Sequence, residues 1–338
     1  KGPTLGGSEP ARRRAELTYA VADQERNPMN VRHVQAPPAV VMVRPHRFRV
    51  NSETLADHAF QSLPDLSSTE DQIAAAARAE FDGCVEVLTG AGVVVHVFDD
   101  FGQLDTPDSV FPNNWFSTHQ GGRIALYPMF APNRRRERRA DVIELLKSTY
   151  RVQEVIDYSG LEYDNLFLEG TGAMVLDHLE RVAYVANSYR ADPVILERFC
   201  TAFGYEPMAF PTAGPDGRPI YHTNVLMGIA SEYALVCLAA ISEPRRRNEV
   251  ARRLTESGRS VIDLSFEQVA EFAGNTIELT GTAGRLLALS ERAAASLTDD
   301  QRAVIEQSAT LLPLKVPTIE FAGGSVRCMI AGIHLTPR

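Results

Sequence analysis

The sequence predicts an α/β fold in which five ββαβ units form a ring, an α/β propeller. Apolar strand-like runs alternate with segments of helical period from Ala39 to the C-terminus. One pattern of strand, turn, strand, amphipathic helix and strand recurs along this stretch. The first strands of the units start near Asn114, Glu169, Asn224, Asn275 and Ser325. These starts lie about 50–55 residues apart, and such regular spacing argues against two unrelated domains.

Four units follow one another along the chain, and each begins with a predicted hairpin. The hairpins are expected at residues 113–129, 168–188, 222–241 and 275–290. The helices that follow them are expected at residues 135–150, 193–203, 244–257 and 298–308. The closing strands are expected at residues 152–156, 205–210, 260–264 and 314–319. Each of these four segments therefore matches the ββαβ pattern.

The fifth unit is predicted to combine both ends of the chain. The stretch 323–335 contains a strand without a helix of its own, whereas the strand at 40–45 precedes a helix at 69–89 and a strand at 93–98. Joining these segments closes the ring around a pseudo-fivefold axis. The first strands would then point inward, so that reactive side chains at their starts would meet at one end of a central channel.

Composition is that of a globular protein and argues against two kinds of partner. Residues 1–35 are polar and are expected to form a disordered or loosely attached tail, with residues 36–338 as a single propeller domain. No apolar run reaches the roughly 18 residues of a membrane-spanning helix. The net charge of −9 disfavours nucleic acid as a partner. The basic clusters 134–139 and 245–247 have acidic neighbours and are interpreted as solvated helix faces.

The four cysteines argue against a zinc site, because they form no CxxC pair and no Cys/His ligand spacing. No metal or other cofactor is expected. The N-terminus shows no secretory-signal pattern, so we expect reduced thiols and a cytoplasmic location. Cys84, Cys200 and Cys237 lie in helical or apolar stretches and are interpreted as buried hydrophobic residues.

Three residues near the starts of first strands can carry chemistry together. Cys328 follows the glycine pair of GGSVRCM, and His222 opens the third hairpin in IYHTNV. Glu169, in FLEGTG, follows an apolar run where an unpartnered carboxylate would be costly. Each residue alone has a structural explanation. Together they supply a nucleophile, a proton carrier and a group that orients the proton carrier.

These motifs resemble the pentein superfamily, which contains arginine deiminases, dimethylarginine hydrolases and glycine amidinotransferases. FPNNWFSTH, FLEGTG, IYHTNV, FAGN and GGSVRCM are similar to stretches of its citrulline-utilisation hydrolases, and the resemblance extends from about Ala36 onward. It implies a five-bladed propeller that is catalytic as a single domain. It also implies that Cys328 is the nucleophile, His222 the general acid and base, and Glu169 the carboxylate that assists them.

The resemblance also identifies candidate substrate-binding residues. Deiminases that bind a cationic guanidinium have aspartates where this sequence has Asn114 and Asn224, which favours a neutral urea group. Asn113 is the alternative to Asn114, and both Asn114 and Asn224 are also explained by turn structure. Arg190 resembles an arginine that binds substrate in deiminases. Two weaker candidates, expected to pair with surface acids instead, are Arg44 and Arg327.

The implied reaction is the hydrolysis of citrulline to ornithine, ammonia and carbon dioxide through an S-carbamoyl intermediate on Cys328. One alternative is a deiminase-type hydrolase of arginine or succinylarginine, and another is an amidinotransferase that passes the intermediate to an amine. Outside the enzymes, a pentein that binds its ligand without turnover is the alternative. All of them take a small amino-acid-like ligand, and homo-oligomerisation is left open.

Overall fold

The computed structural model describes Gly2, residues 33–54 and residues 69–338. The chain divides into two compact units, Lys1–His33 and Val34–Arg338, and all features below belong to the second. The expected N-terminal tail, residues 1–35, lies almost wholly outside the described residues. Gln35 is described, and its side-chain amide donates to the carbonyls of Leu176 and Ile229 at 3.0 and 3.1 Å. This residue is therefore packed into the second unit.

Five three-stranded sheets, one for each predicted unit, make up the α/β propeller. The strands are β1 (Ala39–Pro45), β2 (Val94–Asp100), β3 (Phe116–His119), β4 (Arg123–Leu126), β5 (Glu154–Asp157), β6 (Met174–Asp177), β7 (Val182–Ala186), β8 (Glu206–Phe210), β9 (Met227–Ile229), β10 (Tyr233–Val236), β11 (Ser260–Asp263), β12 (Ile277–Gly281), β13 (Gly284–Ser290), β14 (Thr310–Leu314) and β15 (Ala331–Gly332). The sheets are β15-β1-β2, β3-β4-β5, β6-β7-β8, β9-β10-β11 and β12-β13-β14. In each, the middle strand pairs antiparallel with one neighbour and parallel with the other.

The first of these sheets joins the two ends of the second unit. Strand β1 pairs antiparallel with β15, with Val40 opposite Gly332, and parallel with β2, with Ala39 opposite Val94. The middle strands β7 and β10 are buried along their whole length, as expected for strands covered on both faces. The predicted ring of five ββαβ units, closed by residues from both ends, is confirmed.

Most helices connect the two parallel strands of a sheet, and the others precede the first strand of a sheet. Those of the described residues are α1 (Glu70–Gly90), α2 (Pro132–Arg135), α3 (Ala140–Thr149), α4 (Gly170–Ala173), α5 (Pro193–Phe203), α6 (Pro244–Glu256), α7 (Phe266–Ala270), α8 (Glu291–Ser296), α9 (Asp299–Glu306) and α10 (Val326–Met329). Helix α5 begins where the Asp192 carboxylate caps two backbone N–H groups, and it ends at Gly204 in the left-handed conformation. None of the helices in the described ranges combines the length and apolarity needed to cross a bilayer.

The prediction that first strands begin at the candidate site residues is wrong in detail. Helical turns stand there instead, at Pro112–Asn114, α4, Thr223–Val225 and α10, and the strands start after them. Neighbouring turns pack backbone against backbone: a Cβ atom on Gly170, whose φ is +45°, would lie 2.5 Å from the carbonyl oxygen of Asn113. Position 170 therefore has no room for a side chain.

Candidate active site

The three predicted catalytic residues meet at one end of the ring. Cys328 and His222 line the same cavity. Glu169 lies behind His222, and its Oε2 is 2.7 Å from His222 Nε2. The helical turns of three different blades, α4, Thr223–Val225 and α10, position these groups.

Glu169 is fully buried and is held by three donors. Its Oε1 accepts the backbone N–H of Phe130 at 3.0 Å, while Oε2 accepts from His222 and, at 3.3 Å, from Nη1 of Arg190. Burial alone would raise the pKa of Glu169, but Arg190 and His222 together lower it well below its usual range. The carboxylate is therefore ionised.

His222 is buried beside this carboxylate. Burial lowers the pKa of His222, and the hydrogen bond and charge of Glu169 only partly offset the effect. The ring is therefore neutral at neutral pH. Because Nε2 faces a carboxylate that can only accept, it carries the proton, and Nδ1 keeps the lone pair of a general base.

The thiol of Cys328 is held by two side-chain amides. Nδ2 of Asn224 lies 3.2 Å from Sγ, and Nδ2 of Asn275 lies 3.3 Å from it. Asn275 also accepts the backbone N–H of Arg327 at Oδ1 and donates to the carbonyl of Asn224. Two side-chain N–H donors from different turns therefore point at this sulfur.

The other cysteines lack such surroundings. Burial raises the pKa of Cys84 and of Cys200 to about 12, and burial also raises the pKa of Cys237. None of the four cysteines forms a disulfide. The thiols of these three residues are therefore poor nucleophiles.

Of the two candidate asparagines in FPNN, Asn114 lines the cavity and the buried Asn113 stands behind it. When the Asn114 amide is oriented to satisfy its neighbours, its oxygen accepts from Nη1 and Nη2 of Arg134 at 2.8 and 3.1 Å. Its nitrogen then donates to Oδ1 of Asn113 at 3.0 Å. Asn224, the third predicted amide, instead contacts the sulfur directly.

Arg190 lines the cavity and is almost fully buried. Besides its contact with Glu169, its guanidinium lies over the rings of Tyr221, Phe130 and Tyr189, at 4.3, 5.3 and 5.4 Å from their centroids. Stacking on aromatic faces fixes the plane of the guanidinium. Arg190 is therefore placed to meet a ligand in the cavity.

Two charged residues of the cavity were missed by sequence reasoning. Arg134 was assigned to a solvated face, but it is buried, pairs with Oε1 of Glu137 at 2.9 Å and lines the cavity. The four-residue helix α2 is too short to carry a solvated face. Asp108 lies in a loop, where its Oδ2 accepts from Asn51 at 2.7 Å and its Oδ1 has no hydrogen-bond partner among the described residues.

The other basic residues that the sequence analysis named differ in their partners. Arg44 pairs with Asp82 and Asp99, as expected of a surface ion pair, and the cluster 245–247 lies on α6 with Arg246 paired to Glu249. The same expectation is wrong for Arg327. Its guanidinium donates to the carbonyl of Ile330, and no carboxylate of the described residues lies within 4.0 Å.

The family model for N,N dimethylarginine dimethylhydrolase, eukaryotic, matches residues 44–335, and this family consists of hydrolases that act on carbon–nitrogen bonds other than peptide bonds. The chain therefore belongs to this family, and its predicted membership of the pentein superfamily is confirmed. A search of curated protein sequences gave no significant match.

Solved structures share the fold at low sequence identity. Unliganded AgrE superposes with a TM-score of 0.67 at 16% identity over 86% of this chain, which spans 38% of the AgrE chain. The substrate-bound N-terminal domain of ArgZ, an arginine dihydrolase from the ornithine–ammonia cycle in cyanobacteria, gives 0.66 at 13% identity over 88% of this chain and 99% of that one. A dimethylarginine dimethylaminohydrolase adduct superposes with a TM-score of 0.59 at 12% identity, over 87% of this chain and 98% of that chain.

Proposed function

We propose that this protein hydrolyses the ureido or guanidino carbon of a small amino acid, with citrulline as the preferred substrate. The observation that carries the proposal is one cavity with a thiol and an imidazole, Cys328 and His222, together with Arg134, Arg190 and Asp108. A few convergent polar and charged groups around one space are typical of a site for a small ligand.

The charged residues of the cavity match the head group of an amino acid. Arg134 and Arg190 are planar donors suited to an α-carboxylate. Asp108 presents a buried carboxylate oxygen, Oδ1, which has no hydrogen-bond partner among the described residues and can accept from an α-ammonium group. We therefore assign the head group to these three residues.

The groups around the sulfur favour a neutral urea over a guanidinium. Asn224 and Asn275 contact Cys328, Asn114 lines the cavity, and all three are uncharged. Glu169 is already engaged by His222 and Arg190, and Asp108 is assigned to the α-ammonium group. A cationic guanidinium would therefore be buried with little compensation, whereas a urea can exchange hydrogen bonds with the amides.

The first step forms a covalent intermediate. The thiol of Cys328 gives its proton to His222, and the sulfur attacks the ureido carbon. The bond from this carbon to the side-chain nitrogen breaks as His222 returns the proton to the departing amine, which leaves as ornithine. Glu169 stabilises the imidazolium that exists between these events.

The second step restores the enzyme. His222 takes a proton from a water molecule whose oxygen attacks the S-carbamoyl carbon, and the proton then returns to the departing sulfur. Carbamate is released and decomposes to carbon dioxide and ammonia. Apart from the substrate and the water molecule, the two steps use side chains of this chain alone. We place the reaction in the cytoplasm, which is supported by four cysteines without a disulfide.

Separate incubations with citrulline, arginine, N,N-dimethylarginine and succinylarginine test the proposal. We expect ornithine and ammonia in equal amounts from citrulline, at the highest kcat/KM of the set. Faster formation of citrulline from arginine, or of dimethylamine from dimethylarginine, a substrate that the family name favours, would assign a different substrate. Transfer of an amidino group to an added amine would indicate an amidinotransferase.

Rapid acid quenching followed by mass spectrometry tests the intermediate. We expect a carbamoyl adduct on the peptide that contains Cys328 and none in Cys328→Ser. Cys84→Ala is the matched control and should retain both the adduct and the turnover. Turnover of Cys328→Ser at the wild-type rate would rule out the nucleophile.

A further inference from the structure

Two adjoining cavities lie beside Arg327, apart from the catalytic cavity. Both are small, with volumes of about 40 and 30 Å³. The residues that line both are Leu176, His178, Ile277, Arg327 and His334. Within the described residues, neither lining shares a member with the catalytic cavity. They are therefore a separate space within the ring, which we call the rear cavities.

The half-buried Arg327 brings a positive charge to this space, and no carboxylate of the described residues lies within 4.0 Å of its guanidinium. The buried arginines Arg134, Arg190 and Arg259 pair with Glu137, Glu169 and Asp177. Within the part of the chain that the structure describes, the guanidinium of Arg327 donates to the carbonyl of Ile330, 2.9 Å from Nη1. Burial lowers the pKa of Arg327 to about 10, which the neighbouring Cys328 offsets only in part. A cation in low-dielectric surroundings is stabilised when an anion pairs with it.

Neutral hydrogen-bonding groups line the rear cavities with Arg327. Thr276 is 3% exposed, lines the larger cavity, and its hydroxyl has no partner among the described residues. The rings of His178 and His334 stack at 3.8 Å, and burial lowers the pKa of both, so that each can donate from an uncharged ring. These groups add donors without adding charge.

The rest of the lining limits the ligand. Glu278 borders the larger cavity, with Oε2 bound by Ser231 and Oε1 3.9 Å from Arg285. Because Arg327 and the Glu278 carboxylate line the same cavity, one arginine cannot balance the two charges of a dianion as well. Much of the remaining lining is apolar and is formed by Val175, Leu176, Met227, Ile229 and Ile277. A singly charged ligand with a short aliphatic part fits both features.

We propose that the rear cavities bind a small, singly charged carboxylate, with Arg327 as its counter-ion and Thr276 as a hydrogen-bond donor. Such a ligand contacts the residue that immediately precedes the nucleophile. The proposal concerns binding alone and does not depend on the assigned substrate.

Thermal unfolding of the full chain with formate, acetate or butyrate, each against sodium chloride at equal ionic strength, tests the site. A ligand that binds the folded state raises the unfolding midpoint, and the stabilisation grows as RT ln(1 + [L]/Kd). We expect this rise in the wild type and at least a roughly tenfold weaker affinity in Arg327→Gln. Thr276→Val should weaken binding less, and Arg252→Gln, on an exposed arginine paired with Glu256, should leave it unchanged.

Other outcomes would overturn the proposal. They are the absence of a rise in the unfolding midpoint with ligand concentration, an equal response to chloride, or tighter binding of inorganic phosphate. A response lost in Arg190→Gln but kept in Arg327→Gln would place the anion in the catalytic cavity instead. If Arg327→Gln fails to fold, titration of ¹³C-formate with wild type and Thr276→Val by NMR decides the matter, and equal affinities would reject the site.

Discussion

The side-chain amide of Asn275 lies with its nitrogen 3.3 Å from the sulfur of Cys328. Its orientation is defined, because Oδ1 accepts the backbone N–H of Arg327 at 3.0 Å. Only the nitrogen can then face the sulfur. Asn275 thus ties the turn that precedes β12 to the nucleophile of another blade, and it positions a donor where negative charge forms.

Replacing Asn275 with alanine removes this donor. We expect kcat/KM to fall by about 10–100-fold, the effect of one hydrogen bond to a charged group. Alkylation of Cys328 by iodoacetamide should slow in parallel, which a purely structural role would not require. Asn248→Ala on the exposed face of α6 is the control. Unchanged alkylation in Asn275→Ala would show that the amide does not act on the sulfur.

Changing Asp108 to asparagine tests the assignment of the substrate head group. The variant keeps a side chain that can face Asn51 but loses the negative charge offered to an α-ammonium group. With citrulline we expect kcat/KM to fall by about 10–100-fold. With 5-ureidopentanoate, which lacks the amino group, wild type and variant should react at similar rates. An equal loss with both substrates would refute the assignment.

Replacing Gly172 with alanine should disturb the site while leaving the fold intact. A Cβ atom there would lie 2.3 Å from the terminal amide of Asn114 and 3.1 Å from Nδ1 of His222. Because Arg134 holds Asn114, we expect displacement of both side chains and a fall in kcat of about 100-fold. Gly83→Ala has open space on α1. It should keep full activity and gain about 0.5–1 kcal/mol of stability.

Acid should destabilise the protein through His334. Burial lowers the pKa of His334 from 6.5 to about 3. Between these pH values the unfolded chain binds a proton that the folded chain does not, so the free energy of unfolding falls as the pH falls. Urea unfolding at several pH values from 7 to 4 measures this slope. His334→Gln should give a shallower slope, and parallel curves for the two proteins would contradict the prediction.

The ring could be predicted, and with it the convergence of Cys328, His222 and Glu169, because a repeat relates residues that are far apart in sequence. Once β1 and β15 complete one blade, Cys328, His222 and Glu169 must lie at equivalent ends of their units. Helix α5 was also predicted at its observed bounds, because its cap, apolar spacing and terminal glycine all agree. The helical turns before the first strands were missed, since three or four residues are too few to show a helical period.

The charged residues of the cavity were harder to predict. Arg134 stands in a run of arginines with acidic neighbours, a pattern that a solvated helix shares. Asp108 lies in a loop, and its partner Asn51 is 57 residues away. Arg327 was expected to find an acid, yet only tertiary structure determines which acids come near it. For all three residues, the partners depend on how the side chain is buried, and the sequence indicates burial only through its periodicity.

The pairing of β1 with β15 has a consequence for synthesis on the ribosome. Strand β1 must wait for its antiparallel neighbour until β15 has been translated, and Cys328 emerges only just before β15. A nascent chain that stalls before Cys328 contains His222 and Glu169 but lacks the proposed nucleophile. Reactivity therefore appears together with completion of the fold.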